Sequence, residues 1–167
     1  KMQALFGSAI IGYWPGGENS GLTALDYSGR NFHGAYTGVT LGQPGIGDGL
    51  TCPLYDGVLD FNNIYSAGFA GAFNPSEGSL LMWSRVFDAG VWTDGLDRRF
   101  WILRADAANS IDISKASVNN TINFLYTAGG ISELVTSTAA GGLTGWFTTA
   151  LTWSASDDEL KTYINGV

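Results

Sequence analysis

The chain has 167 residues, enough for one domain with a sizeable core. Hydrophobic residues make up 45% of it, which excludes an intrinsically disordered chain, and 24 glycines against 4 prolines argue for many tight turns and against a helical bundle. The net charge of −7 leaves no uniform basic face for nucleic acid.

Taken in order, residues 9–14 (AIIGYW) read as a first strand, stopped by Pro15, Gly16 and Gly17. Residues 18–34 are a polar loop, and 35–40 read as a short strand. Residues 41–50 (LGQPGIGDGL) read as turns. Gly45-Ile46-Gly47 within them has no helix after it and no Lys-Ser/Thr pair, so it is turn chemistry rather than a phosphate loop. Residues 54–61 read as a strand broken at Asp56-Gly57. The one helix candidate, 63–73, contains Gly68 and Gly71 and is read as loop. Residues 78–88 are apolar on both faces, which predicts a central strand. Residues 89–98 form a loop tip bearing Trp92, and 99–104 are a strand.

Three further strands follow at 110–114, 121–126 and 131–137, the second with Ile122, Phe124 and Tyr126 on one face. Residues 146–153 and 160–164 read as a hairpin across the polar link 154–159. Asn165-Gly166 then predicts a tight turn, because both central residues of such a turn need positive φ. About ten short strands with turn signals between them predict an all-β, antiparallel sandwich or barrel, read as one domain over 1–167.

Cys52 is the only cysteine, so no internal disulfide forms, and it reads as a small buried thiol. No apolar run reaches the roughly 20 residues of a spanning helix, so no membrane insertion is expected. The apolar run 4–11 is broken by Gly7 and Ser8 and does not read as a signal peptide. Asn119-Asn120-Thr121 is a formal glycosylation acceptor.

Several short motifs occur in a telling order. They are Gly12-Tyr13-Trp14-Pro15, Asp26-Tyr27-Ser28-Gly29, His33-Gly34, Tyr55-Asp56-Gly57 and Leu81-Met82-Trp83. Gly145-Trp146, Ala150-Leu151-Thr152-Trp153 and the closing Lys161-Thr162-Tyr163-Ile164-Asn165-Gly166 complete them. In order and spacing the chain resembles the laminin-G-like, concanavalin A-like jelly-roll domains over nearly its whole length. The resemblance implies two packed antiparallel sheets and a sugar-binding or adhesion module, borne on a secreted protein or a virus particle. Members usually carry a histidine just after the tryptophan at Trp146, where this chain has Phe147 and Thr148. They also continue past the Asn-Gly turn, so the resemblance implies a jelly roll lacking its C-terminal strands. On that basis the edge beside residues 160–164 is expected to take a strand from residues beyond Val167 or from a neighbouring subunit.

A glycoside hydrolase needs two carboxylates facing one bond. No strand carries two acids at alternating positions, so Asp56, Asp60, Asp94, Asp97, Asp157, Asp158 and Glu159 read as solvated turn acids and no enzyme is expected. His33, the only histidine, reads as structural, which argues against zinc. Calcium, which takes loop oxygens, is the one cofactor the residues leave room for. Its candidate ligands are Asp106 with Asn109, and Glu18 with Asp26.

Sugar binding calls for an aromatic platform beside polar groups. Trp14, Trp83, Trp101, Trp146 and Trp153 lie in predicted strands and read as core. Trp92, in a Gly- and Asp-containing loop, pairs with Asp94 as the best contact, with Tyr65 as a further candidate. Three functions compete. The first is a non-catalytic carbohydrate-binding or adhesion module, extracellular or on a virion surface. The second is a structural or decoration domain that docks on neighbouring subunits, as a homo-oligomer or within a larger assembly. The third, ranked behind both, is a glycoside hydrolase.

Overall fold

The computed structural model describes residues 6–118 and 120–167. The start of the apolar run at Ala4, and Asn119 of the glycosylation triplet, lie outside them. Strand is the main regular structure of the described chain, and its ladders are antiparallel. It divides into two compact units, Lys1–Asn74 and Pro75–Val167.

The first unit holds β1 (Thr23–Ala24), β2 (Gly34–Thr37), β3 (Thr40–Pro44), β4 (Thr51–Leu54), β5 (Phe61–Asn63) and the helix α1 (Ala67–Ala72). β2 lies between β1 and β5, and β3 pairs with β4. The strand expected over 9–14 does not form. Gly7–Ala9 is a 3-10 turn, and Tyr13 donates its N–H to Asp26 Oδ1 at 2.9 Å while its carbonyl accepts from Tyr27 at 2.7 Å. A carboxylate has replaced a ladder partner. The strand expected over 54–61 ends at Leu54. Beyond it Asp60 Oδ2 accepts from the Asp56 N–H and Asp56 Oδ1 from the Val58 N–H, side-chain bonds that hold the chain in a turn.

Part of the Gly-rich stretch read as turns is strand: β3 and β4 form a hairpin with an irregularity between Thr40 and Gln43. Cys52 in β4 is half-buried rather than enclosed. The loop read over 63–73 contains α1. Ser66 caps it by accepting from the Phe69 N–H at 3.1 Å, and Phe69 is buried edge-on to Trp14 and Phe32. The cap and the burial of Phe69 outweigh the glycine cost that argued against a helix.

The second unit holds β6 (Glu77–Arg85), β7 (Arg98–Asp106), β8 (Asn109–Lys115), β9 (Ile122–Ala128), β10 (Ile131–Ser137), β11 (Trp146–Ser154) and β12 (Glu159–Ile164). β7 to β10 make a four-stranded meander, and β11 lies between β6 and β12 in a three-stranded sheet. Ile111 and Ile113 of β8 and Ile122 and Phe124 of β9 bury one face of the meander. Phe100 of β7 meets Phe147 of β11 edge-to-face at 5.9 Å, so the two sheets share a core.

β6 is an edge strand, not the central one; that place belongs to β11, whose Phe147, Thr149, Leu151 and Trp153 are buried at every second position. The second apolar face of β6 instead stays open. Trp153 packs over Gly78, where a Cβ would meet the indole at 2.3 Å, so only glycine fits beneath it.

The C-terminal hairpin forms as expected. Asn165 and Gly166 have φ of 54° and 83°. Val167 exchanges both backbone hydrogen bonds with Ile164, at 2.9 and 3.2 Å, on the side of β12 away from β11.

Candidate functional site

Trp92 is not a platform. It has no solvent exposure and sits in the 3-10 turn Ala89–Thr93. Its indole N–H donates to the Leu143 carbonyl at 2.8 Å, its own carbonyl accepts from Asn120, and its ring lies 6.0 Å from Phe147. The loop folds back and uses the indole to close one end of the core, which is why a Gly- and Asp-rich context did not leave it exposed.

Asp94 anchors the same loop. Its carboxylate accepts from Lys115 Nζ at 2.6 Å, from the Leu96 N–H at 3.0 Å and from Arg98 at 2.7 Å. Lys115 first, then the Leu96 amide and Arg98, hold the Asp94 carboxyl well below the usual carboxylate range. Lys115 itself is wholly buried and also donates to the Leu96 carbonyl at 2.8 Å. Tyr65 is exposed and belongs to the first unit.

The candidate calcium ligands are engaged with protein donors. Asp106 accepts from the Ala108 N–H and the Asn109 amide, and Asn109 Oδ1 accepts from the Gly129 N–H; together they hold the β7–β8 turn. Glu18 accepts from the Leu25 N–H and the Tyr36 hydroxyl. Asp26 accepts from the Tyr13, Ser28 and Phe32 amides and the Ser28 hydroxyl. Burial raises the Asp26 carboxyl, but those donors outweigh it and leave the group below its ordinary value. His33 Nδ1 accepts from the Asp26 N–H, completing a hub that gathers the Tyr13, Asp26 and His33 motifs. Among the described residues no three His, Cys, Asp or Glu side chains group to hold a metal ion.

The site that sequence reasoning missed is the outward face of the three-stranded sheet. The register aligns its rows: Arg85 with Trp146; Trp83 with Thr148; Leu81 with Ala150 and Tyr163; Ser79 with Thr152 and Lys161. Trp83, expected in the core, is 52% exposed, and Leu81 beside it is 58% exposed. Trp146 and Tyr163 are half-buried, as are Trp14 and Trp101, while Trp153 is buried as expected. Arg85 bounds the face at one end, donating to the Thr144 carbonyl at 2.9 Å with its guanidinium 4.3 Å over Phe87.

At the other end a shallow recess of about 380 Å³ is lined by Glu77, Ser79, Thr152, Ser154, Asp157 and Glu159. Its acids are partly engaged: Glu159 pairs with Lys161 at 2.7 Å, and Asp157 accepts from the Ser154 hydroxyl. The face therefore runs from an indole and aliphatic strip to a hydroxyl- and carboxylate-lined recess about 13 Å further along β6, four residues at strand rise.

The available signal was the alternation through 77–85. It was ambiguous because both sets of alternate positions contain large apolar residues. Searches for similar proteins add nothing to this geometry: no family model, curated protein or solved structure matches the chain.

Proposed function

We propose that the chain is a non-catalytic carbohydrate-binding module of the laminin-G-like, concanavalin A-like jelly-roll kind, acting outside the cell or on a virion surface. The observation that carries this reading is the exposed indole of Trp83 beside Leu81 on a sheet face whose far end is lined with hydroxyls and carboxylates. A pyranose offers an apolar C–H face and a rim of hydroxyls, and that pairing is what such a face takes. The ligand lies along β6 and β11, stacked at Trp83 and held by hydrogen bonds toward Ser79, Thr152 and Glu77. A glycan array run on the full chain tests it. Binding that disappears in Trp83→Ala supports the reading; an array without binding, or release of cleaved sugar by the protein, speaks against a non-catalytic module.

A structural role in an assembly is favoured by a different observation. Among the described residues β12 pairs with β11 alone, and the Asn165-Gly166 turn sends Val167 back along its outer edge. An edge with its register already set accepts an antiparallel strand, and a neighbouring subunit can supply one. A monomer across the micromolar range, by sedimentation, counts against that role.

A further inference from the structure

The other sheet of the second unit carries a separate polar cavity. Asp112 of β8 lies on the face of the meander away from Ile111 and Ile113, yet it is only 6% exposed. Its Oδ2 accepts from Arg99 Nε at 2.6 Å, while its Oδ1 is buried with no hydrogen-bond donor among the described residues. Buried carboxylate oxygens are normally satisfied, and one without a donor calls for a reason. The residue lines a cavity of about 210 Å³ shared with Arg99, Ser114, Asn123, Leu125 and Leu134. The pairing register explains the cluster: Asp112 stands opposite Leu125, Ser114 opposite Asn123, and Leu125 opposite Leu134.

The chemistry selects among ligands. A metal ion is disfavoured because Arg99 occupies Asp112 Oδ2 and, among the described residues, no three His, Cys, Asp or Glu side chains group to hold one. An anion is disfavoured because Asp97 also lines the cavity, so two carboxylates face one guanidinium. A wholly apolar ligand would leave Asp112 Oδ1 without a donor. A neutral group bearing adjacent hydroxyls meets each need. A small rotation of the Asp112 carboxylate brings Oδ1, enclosed as it stands, to the cavity, so that one hydroxyl donates to it, its neighbour accepts from an Arg99 Nη, and the carbon face rests on Leu125 and Leu134. The Asn123 Oδ1 is taken by the Thr136 hydroxyl at 3.1 Å, which leaves its amide nitrogen to donate. The volume lies below the range of about 300–1,000 Å³ common for drug-sized ligands, and suits one ring rather than a chain.

We propose that this cavity is a second ligand site, built for a single neutral polyhydroxylated ring whose vicinal diol is read by Asp112 and Arg99. It does not depend on the Trp83 face.

The test is a titration of the full chain, labelled with nitrogen-15, with free glucose, galactose, mannose, fucose and myo-inositol in turn. The expected result is saturable shifts of the Ser114, Asn123 and Leu125 amides and of Arg99 Nε–H with at least one ring. These shifts should weaken at least tenfold in Asp112→Asn. Leu134 is more than half exposed, so Leu134→Trp should block the mouth without unfolding the sheet, and it should abolish them. Myo-inositol against the pyranoses separates a bare diol from a sugar as the recognised element. Trp83→Ala should leave these shifts intact, so failure of the face and failure of the cavity are told apart. No saturable shift with any of the five rings, or shifts that survive both Asp112→Asn and Leu134→Trp, would overturn the proposal.

Discussion

The ammonium of Lys115, without solvent exposure, lies 2.6 Å from Asp94 Oδ1. This pair ties the loop that carries Trp92 to the end of β8, and it makes folding depend on the charge of Asp94. The folded-state pKa of Asp94 is depressed. Its stabilising contribution is therefore fully present above the ordinary carboxylate pKa of about 4 and is lost as pH falls further, toward the folded value. Asp94→Asn should melt lower than the native chain at pH 7. The gap should close on acidification below about pH 4. Asp26, also depressed, keeps some acid sensitivity in the variant. Melting curves from pH 7 to pH 2 with a constant gap would contradict this.

Trp92 and Trp83 should behave as opposites. Trp92→Ala empties the capped end of the core and removes a hydrogen bond to Leu143, and a loss of about 3–5 kcal/mol is expected. Trp83→Ala alters an exposed face and should change stability by about 0.5 kcal/mol or less. Urea denaturation of both variants measures the contrast; similar losses would mean that the Trp83 ring is covered.

Gly78 should resist substitution more than its place in an edge strand suggests. A methyl group there runs into the Trp153 indole, and overpacking of this kind costs about 1–3 kcal/mol. Gly78→Ala should lower the urea midpoint by that measure, and restoring space with Trp153→Phe should recover part of it. An unchanged midpoint in Gly78→Ala would show that the ring has room to move.

Among the described residues no three His, Cys, Asp or Glu side chains group to hold a metal ion, and the candidate calcium ligands Asp106 and Glu18 are engaged with protein donors. Glycan binding at the Trp83 face should therefore persist in excess EDTA, with affinity within about twofold, less than about 0.5 kcal/mol. Calorimetry with and without chelator checks it; abolition by EDTA would place calcium in the site.

The periodic parts of the chain were legible from residue types alone. Residues 146–153, rich in Thr, Trp, Phe and Leu, became β11, and Asn165-Gly166 became a turn with both φ values positive. Illegible were features set by tertiary contact. The 9–14 run has strand composition, but Asp26, a residue distant in sequence, captures the Tyr13 amide. α1 owes its existence to Phe69 meeting Trp14 and Phe32. The exposure of the tryptophans was misjudged for the same reason. A tryptophan in a loop was read as free and one in a strand as buried, but the loop folds over the core end and β6 lies at a sheet edge.

The central claim is that a sugar stacks on Trp83. It is tested most directly by following the six tryptophan indole N–H signals during titration with a glycan found on the array. The account predicts a saturable shift of the Trp83 indole, an unmoved Trp92 indole, and affinity at least tenfold weaker in Trp83→Ala, about 1.4 kcal/mol. A Trp83 signal that stays in place while the glycan binds with full affinity would contradict it.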